Sequence, residues 1–368
     1  MKKHLLCLIA GAMILASCSS SESSNAGGYD LSMVGVKQAF TGADELMGAY
    51  YEKFTLPESF GTPEITELYE LTVNTADTDL GSDRVKRLFY DYLGEGAEYG
   101  SFVTVGNNTG YHLGFTDVSD PIGSCSYTGN KFRLYHTYKR IDTGETFPEH
   151  YRCLIGSGTD TDMTIIGKPT TSEQEAAYIE KYLDELFEGC FDFGIKTQLL
   201  DAYSNGDITA NCAFAYAGVP IQSFETAYSG KAGNSGKEYY AYFNAEVGLA
   251  GNNVFWSIVT TRIPRLVDKQ SIEQIISLKR AVGILQNVLD TDEVYTFSDV
   301  RLMYCGKEED HRTETSKAEL KEQEEKEFDL QERVLRPMWC FFILDPDSIY
   351  TDRCIKVNAV TGEVILDL

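Results

Sequence analysis

The residues in this chain that could do chemistry begin with Asp142-Thr143-Gly144, inside the stretch Arg140 to Phe147. An aspartate followed by Thr-Gly suits peptide hydrolysis by two carboxylates sharing one proton, because like charges held that close cannot both ionise. That chemistry needs a second Asp-[Thr/Ser]-Gly and an apolar run leading into the aspartate. Here Lys139 and Arg140 precede it, Glu145 follows, Ile141 is the only apolar residue between, and no second copy exists. The pattern predicts a hairpin turn with Gly144 in the left-handed conformation. The closing stretch Asn358 to Leu368 contains Thr361-Gly362-Glu363 and reads the same way, with Gly362 reversing the chain.

Other catalytic patterns are weaker. There is no G-x-S-x-G and no Ser-x-x-Lys with its partners. His112, His136 and His150 sit in polar or aromatic strand-like context and read as surface or edge residues. Carboxylates cluster at Asp77 to Asp83, at Asp160-Thr161-Asp162 and at Asp345-Pro346-Asp347. Hard cations want several oxygens in one loop, but none of these fits the twelve-residue calcium loop, so turns and helix caps are the expectation. Ser82 or Asp83 would cap the helix that follows it. Of the nine cysteines, Cys125, Cys153, Cys190, Cys212, Cys305, Cys340 and Cys354 lie in the body of the chain, without a C-x-x-C or a Cys/His cluster. They read as buried thiols, with one or two disulfides open and unpaired by sequence. No metal or cofactor set is expected.

The elements that must position these residues start with the N-terminus. Lys2 and Lys3 precede an apolar run, Leu5 to Leu15, too short to span a bilayer permanently, and Leu15-Ala16-Ser17-Cys18 follows. This resembles the bacterial lipoprotein signal, in which the cysteine is acylated after cleavage. The resemblance implies a signal peptide over 1–17, a diacylated Cys18 held in the cell membrane on its extracytoplasmic face, and a Ser/Gly-rich tether over 18–30. Cleavage would leave 368 − 17 = 351 residues and, with Lys2 and Lys3 gone, a formal charge of 30 − 56 = −26. Such an acidic chain argues against nucleic acid as a partner.

Two helices stand out. One opens at Ser172 with Glu175 as a capping box and carries Ala176, Ile179, Leu183 and Leu186 on one stripe. The other opens at Ser271 with Gln274 and carries Ile272, Ile275, Ile276, Leu278, Val282, Leu285 and Leu289. Each precedes strand-like runs, at 196–203, 208–217, 239–249 and 254–262 after the first and at 294–304, 339–344, 355–359 and 363–366 after the second. The expected fold class is therefore α+β, in which one helix packs on an antiparallel β-meander, twice. The expected domains are a β-rich region over 31–168, one unit over 169–264 and a second over 265–368. A helix is expected over Asp83 to Leu93, and a solvated loop or exposed helix over the charged run Glu308 to Glu332.

Pro337, Trp339, Asn358, Ala359, Gly362 and Glu363 give the last unit a Pro-x-Trp strand and an Asn-Ala-x-x-Gly turn. This resembles the closing strands of PepSY-like domains and of the YycH/YycI group of Gram-positive extracytoplasmic proteins. The layout also resembles that of uncharacterised clostridial lipoproteins. The resemblance implies a non-catalytic module that binds or restrains a protein partner of the envelope. Two other readings stay open, a surface peptidase working through carboxylates and a ligand-binding lipoprotein of a transporter.

Overall fold

In the computed structural model the described residues are 32–74, 80–105, 110–115, 122–137, 148–222, 244–250, 253–261, 263–289, 294–306, 332–344 and 353–367. Cys18, Asp142, Asp77, Asp345 and the charged run 308–331 lie outside them.

The strands in chain order are β1 (Met33–Gly35), β2 (Phe54–Thr55), β3 (Tyr69–Asn74), β4 (Ser101–Val105), β5 (Gly110–Gly114), β6 (Gly123–Thr128) and β7 (Lys131–His136). Then follow β8 (His150–Leu154), β9 (Asp162–Ile165), β10 (Lys168–Thr171), β11 (Gly194–Tyr203), β12 (Asp207–Tyr216), β13 (Val219–Pro220), β14 (Asn244–Ala250) and β15 (Val254–Thr260). The last are β16 (Arg265–Ser271), β17 (Gln274–Ile276), β18 (Tyr295–Gly306), β19 (Arg333–Ile343), β20 (Cys354–Asn358) and β21 (Val364–Asp367). The helices are α1 (Ser82–Leu93), α2 (Ser172–Leu186) and α3 (Leu278–Val288).

The expected repeat of α+β units is overturned. The chain is mostly β, with three α-helices among the described residues, and its strands merge into large sheets. A ten-stranded sheet runs β4-β5-β6-β7-β15-β14-β12-β11-β8, with β13 on β12. A seven-stranded sheet runs β16-β3-β19-β18-β2, with β20 on β19 and β21 on β20. The helix-then-meander order exists locally, α2 before β11–β12 and α3 before β18–β19. The meanders nevertheless have open edges whose N–H and C=O groups need partners. Strands from the N-terminal region supply them. Leu134 of β7 pairs with Ile258 of β15, and Val73 of β3 pairs with Leu266 of β16 and Arg333 of β19. Residues 31–368 accordingly form one compact unit.

The helix starts differ from expectation. Ser82 and Asp83 lie inside the first turn of α1, and Gly81 holds the position before it. The cap of α2 is Thr171, whose side-chain oxygen accepts the Gln174 N–H, one residue before the expected Ser172. Ser172 is fully buried and donates its hydroxyl to Asp160 Oδ1 at 3.1 Å, which also accepts the Glu173 N–H at 3.0 Å. Asp160 is thus a second cap on α2. The third helix begins at Leu278, not after Ser271, and Ser277 caps it by accepting the Arg280 N–H. Ser271 ends β16, and Gln274–Ile276 is β17, antiparallel to β1. Ile275 and Ile276 are buried as strand residues, because β1 offers ladder partners that a helix there would leave unpaired.

The C-terminal strands explain the Pro-x-Trp and Asn-Ala-x-x-Gly pattern. One edge of β19 pairs with β3 over Arg333–Leu335 and with β20 over Met338–Phe342, so Pro337 falls at the change of partner, where its missing N–H breaks neither ladder. Trp339 is fully buried, packs edge-on against Phe40 at 5.1 Å, and donates Nε1–H to Ile276 O at 3.0 Å. The Asn358 side-chain oxygen accepts the N–H groups of Val360 (2.8 Å) and Thr361 (3.0 Å). Gly362 closes the turn at φ +74°, donating to Asn358 O at 2.9 Å. Ala359, fully buried, donates its N–H to Pro337 O and accepts from Ile276 N–H. Together these residues latch the strand that leads into α3 onto the sheet.

Candidate functional site: a buried sulfur-rich layer

The strands β18, β19 and β20 bury both faces, so their alternation separates two environments. Leu302, Tyr304, Trp339, Phe341, Ile355 and Val357 face the main core. Met303, Cys305, Met338, Cys340, Phe342 and Cys354 face the other way and form a separate cluster. A register shift between Phe297 and Asp299 changes the parity of β18, turning Asp299 and Arg301 toward the sulfur side.

Three thiols meet there. Cys305 Sγ lies 3.6 Å from Cys340 Sγ, and Cys340 also hydrogen-bonds the thiol of Cys354. The Gln222 side chain spans the group: its Oε1 accepts from Cys305 Sγ at 3.1 Å and its Nε2 donates to Cys354 Sγ at 3.3 Å. Gln222 is placed by its own N–H, which donates to Tyr304 O at 2.9 Å where Ile221 bridges to β18. Burial, then the neighbouring thiols, pushes the Cys340 thiol well above its ordinary range. Cys340 therefore stays protonated and is no nucleophile in the closed fold. Among the described residues no group of three or more His, Cys, Asp or Glu is arranged to hold a metal ion. The chemistry open to the layer is the gain or loss of two electrons at a thiol pair.

At the border of the layer, Arg301 Nε donates to Asp299, and Arg301 Nη1 donates to Gln198 Oε1 at 2.6 Å. Gln198 sits in the β11 bulge between Thr197 and Leu199, which leaves its side chain free to cross from one sheet to the other. Sequence reasoning misses the layer. Its only textual trace is sulfur at alternate positions, Met303-Tyr304-Cys305 and Met338-Trp339-Cys340, with an aromatic residue facing the core between.

The other expected candidates do not converge. His112 is exposed on β5, and His136 Nδ1 lies 2.7 Å from Thr137 O. His150 Nε2 lies 3.1 Å from Asp201 Oδ1 and its ring stacks on Tyr203 at 4.5 Å. Arg152 Nε joins the same carboxylate at 3.6 Å, so His150 belongs to an ion-paired cluster of the edge strand β8. Cys125, Cys153, Cys190 and Cys212 are buried free thiols, and burial pushes Cys212 up to about 12.

The sheet edges differ in charge. Edge strand β8 carries His150 and Arg152, and β16 carries Arg265, Asp268 and Lys269. Strand β4, Ser-Phe-Val-Thr-Val, carries none, and among the described residues it has a neighbour, β5, on one side only. Val103 is 45% and Val105 37% exposed. The strands β4 to β7 contain no Asp or Glu, in a chain with 56.

No protein-family model matches the chain, and no curated protein matches it. A crystal structure of an uncharacterized protein from Eubacterium rectale is similar to it, with a TM-score of 0.46 and 10% identity over 86% of this chain and 92% of that one. A likeness at that level assigns neither activity nor ligand.

Proposed function

We propose that this protein is a lipid-anchored extracytoplasmic binding module, without catalytic function, that takes an extended segment of an envelope protein as an added strand on β4. The observation that carries this reading is the uncharged, exposed edge of β4. Edge strands of folded proteins are ordinarily blunted by charge, proline or cover, and the charged edges β8 and β16 follow that rule. An edge left without such protection is where an extended peptide gains main-chain hydrogen bonds, with Val103 and Val105 offering apolar contacts to its side chains. The strands β4, β5, β6 and β7 themselves carry no Asp or Glu, which lessens like-charge repulsion along this face of an acidic chain. The Leu15-Ala16-Ser17-Cys18 motif and the tether to residue 30 support the membrane anchor.

The test places a photocrosslinking amino acid at Val103, and in a control at Val267, which is 43% exposed on β16, in cells carrying the full chain. The expected outcome is one envelope protein captured from position 103 alone, whose crosslinked segment, as a synthetic peptide, slows hydrogen exchange at Ser101–Val105. Val103→Lys should abolish both effects with the melting temperature unchanged. A captured segment that leaves exchange in β4 untouched overturns the reading.

A further inference from the structure

We propose that Cys305 and Cys340 are an oxidisable pair, joined as a disulfide by exchange with a disulfide-bearing oxidant, and that Cys354 remains a thiol held by Gln222. The two sulfurs are 3.6 Å apart, on neighbouring strands of one antiparallel hairpin. They occupy diagonal positions, since Cys305 faces Arg336 and Cys340 faces Arg301 across the ladder. Both thiols lean back along their strands, Cys305 toward Met303 O at 4.0 Å and Cys340 toward Met338 O at 3.8 Å. Met303 and Met338 face each other, so that lean brings the sulfurs together between them. The two cysteines stand four positions apart along the ladder, so a bond of about 2.05 Å requires the sulfurs to approach by roughly 1.5 Å and the strands to bend together or slip in register until the Cα atoms come within about 7 Å. Cys340 also touches Cys354, and Gln222 tells the two possible partners of Cys340 apart by holding Cys354 through its Nε2. Gln222 Nε2 donates to the Cys354 sulfur and holds it in place, while Gln222 Oε1 only accepts from Cys305 and is released when that proton leaves.

The reaction balances as two exchanges. One cysteine thiolate attacks the oxidant's S–S bond, forming a mixed disulfide and expelling one thiol. The second cysteine then attacks the mixed disulfide at the cysteine sulfur, forming the Cys305–Cys340 bond and expelling the second thiol. Both cysteine protons end on the oxidant's thiols, and its disulfide takes up the two electrons. Cys340 is fully buried and Cys305 4% exposed, so the oxidant reaches them while β18, β19 and β20 are open during folding, and as the bonds reshuffle the pair that the closing sheet brings together is the one retained. Once the sheet closes, the same burial shields the bond from reductant. The disulfide requires neither the lipid anchor nor a strand added on β4.

The experiment refolds the purified full chain from denaturant with and without oxidised glutathione, quenches in acid, alkylates without reduction and maps the peptides. With oxidised glutathione the expected product is a linked Cys305–Cys340 peptide pair, with Cys354 alkylated after denaturation. Cys354→Ser should leave that pair in place, and Cys340→Ser should return Cys305 to the alkylated pool. In the native protein dithiothreitol should leave the bond intact, and in denaturant it should open it. Free alkylation of both Cys305 and Cys340 in the oxidised wild type, or a bond from either to another cysteine, overturns the proposal. The wild-type measurement stands by itself if a serine variant fails to fold.

Discussion

Replacing Trp339 by phenylalanine separates a structural role for the C-terminal pattern from a binding one. The indole is fully buried against Phe40 and donates to Ile276 O, tying the end of β17 to a side chain of β19. Removing the N–H forfeits a hydrogen bond worth about 1 kcal/mol net and deprives a buried carbonyl of its donor, for about 1–3 kcal/mol in all. The smaller ring also leaves a gap, adding roughly 1–2 kcal/mol. Together these losses come to about 3 kcal/mol. Residues 31–368 number 368 − 30 = 338, and at about 2.1 cal/mol/K per residue the unfolding entropy is roughly 0.7 kcal/mol/K, so the melting temperature should fall by about 4 °C. Circular dichroism melts of wild type and variant at equal concentration measure it. A shift within about 1 °C would contradict this account, because the latch would then contribute almost nothing to stability. Loss of partner capture at unchanged melting temperature would instead make Trp339 a recognition residue.

Three further outcomes are expected. Gly362→Ala forces a side chain into φ +74° and should cost about 1–2 kcal/mol by urea denaturation, while Glu363→Ala, one position on, should cost little. Asp160→Ala removes the acceptor for Ser172 Oγ and Glu173 N–H and should cost about 0.5–1 kcal/mol, at the low end because the carboxylate is exposed to solvent. Chiefly the Glu173 N–H holds Asp160 below its ordinary carboxylate pKa, so its stabilisation is complete at neutral pH and is lost as pH falls through the lowered value. The acid-unfolding difference between wild type and Asp160→Ala should therefore vanish at low pH, which pH-dependent urea midpoints check. Asp299→Asn leaves Arg301, 12% exposed, facing a neutral partner and should cost about 3–5 kcal/mol, read as a drop in urea midpoint that Arg301→Met in the same chain relieves.

Much of the strand content is legible in the sequence because apolar alternation is a local signal. The runs expected at 208–217 and 355–359 are β12 and β20 within a residue or two. Helix α1 is legible from Val85, Leu88, Phe89 and Tyr92 at helical spacing, and all are buried. The start of α3 is misplaced by the sequence because Ser271-x-x-Gln274 has the capping-box pattern. Ser277, the residue that caps the helix, is followed three positions on by Arg280 and lacks it, and β1 pairs with Gln274–Ile276 instead. The sulfur layer is illegible for a similar reason. In a strand buried on both faces, Met, Cys, Trp and Phe follow one another, and nothing local says which face each takes until bulges fix the parity.

Part of the local geometry follows from the sequence alone: that segments such as 208–217 and 355–359 extend, and that Gly362 turns the chain. Those features rest on side-chain size, backbone sterics and period-two alternation, which act over a few residues. Strand pairing does not follow from it. That β7 meets β15 and β3 meets β19, and hence that one unit with two large sheets replaces a repeat, is set by the folded chain. The fold likewise brings Cys305, Cys340 and Cys354 under Gln222 and leaves β4 as an uncharged edge of the larger sheet. Ladder bonds and packing contacts are satisfied by whichever chain segment reaches them, at any separation in sequence.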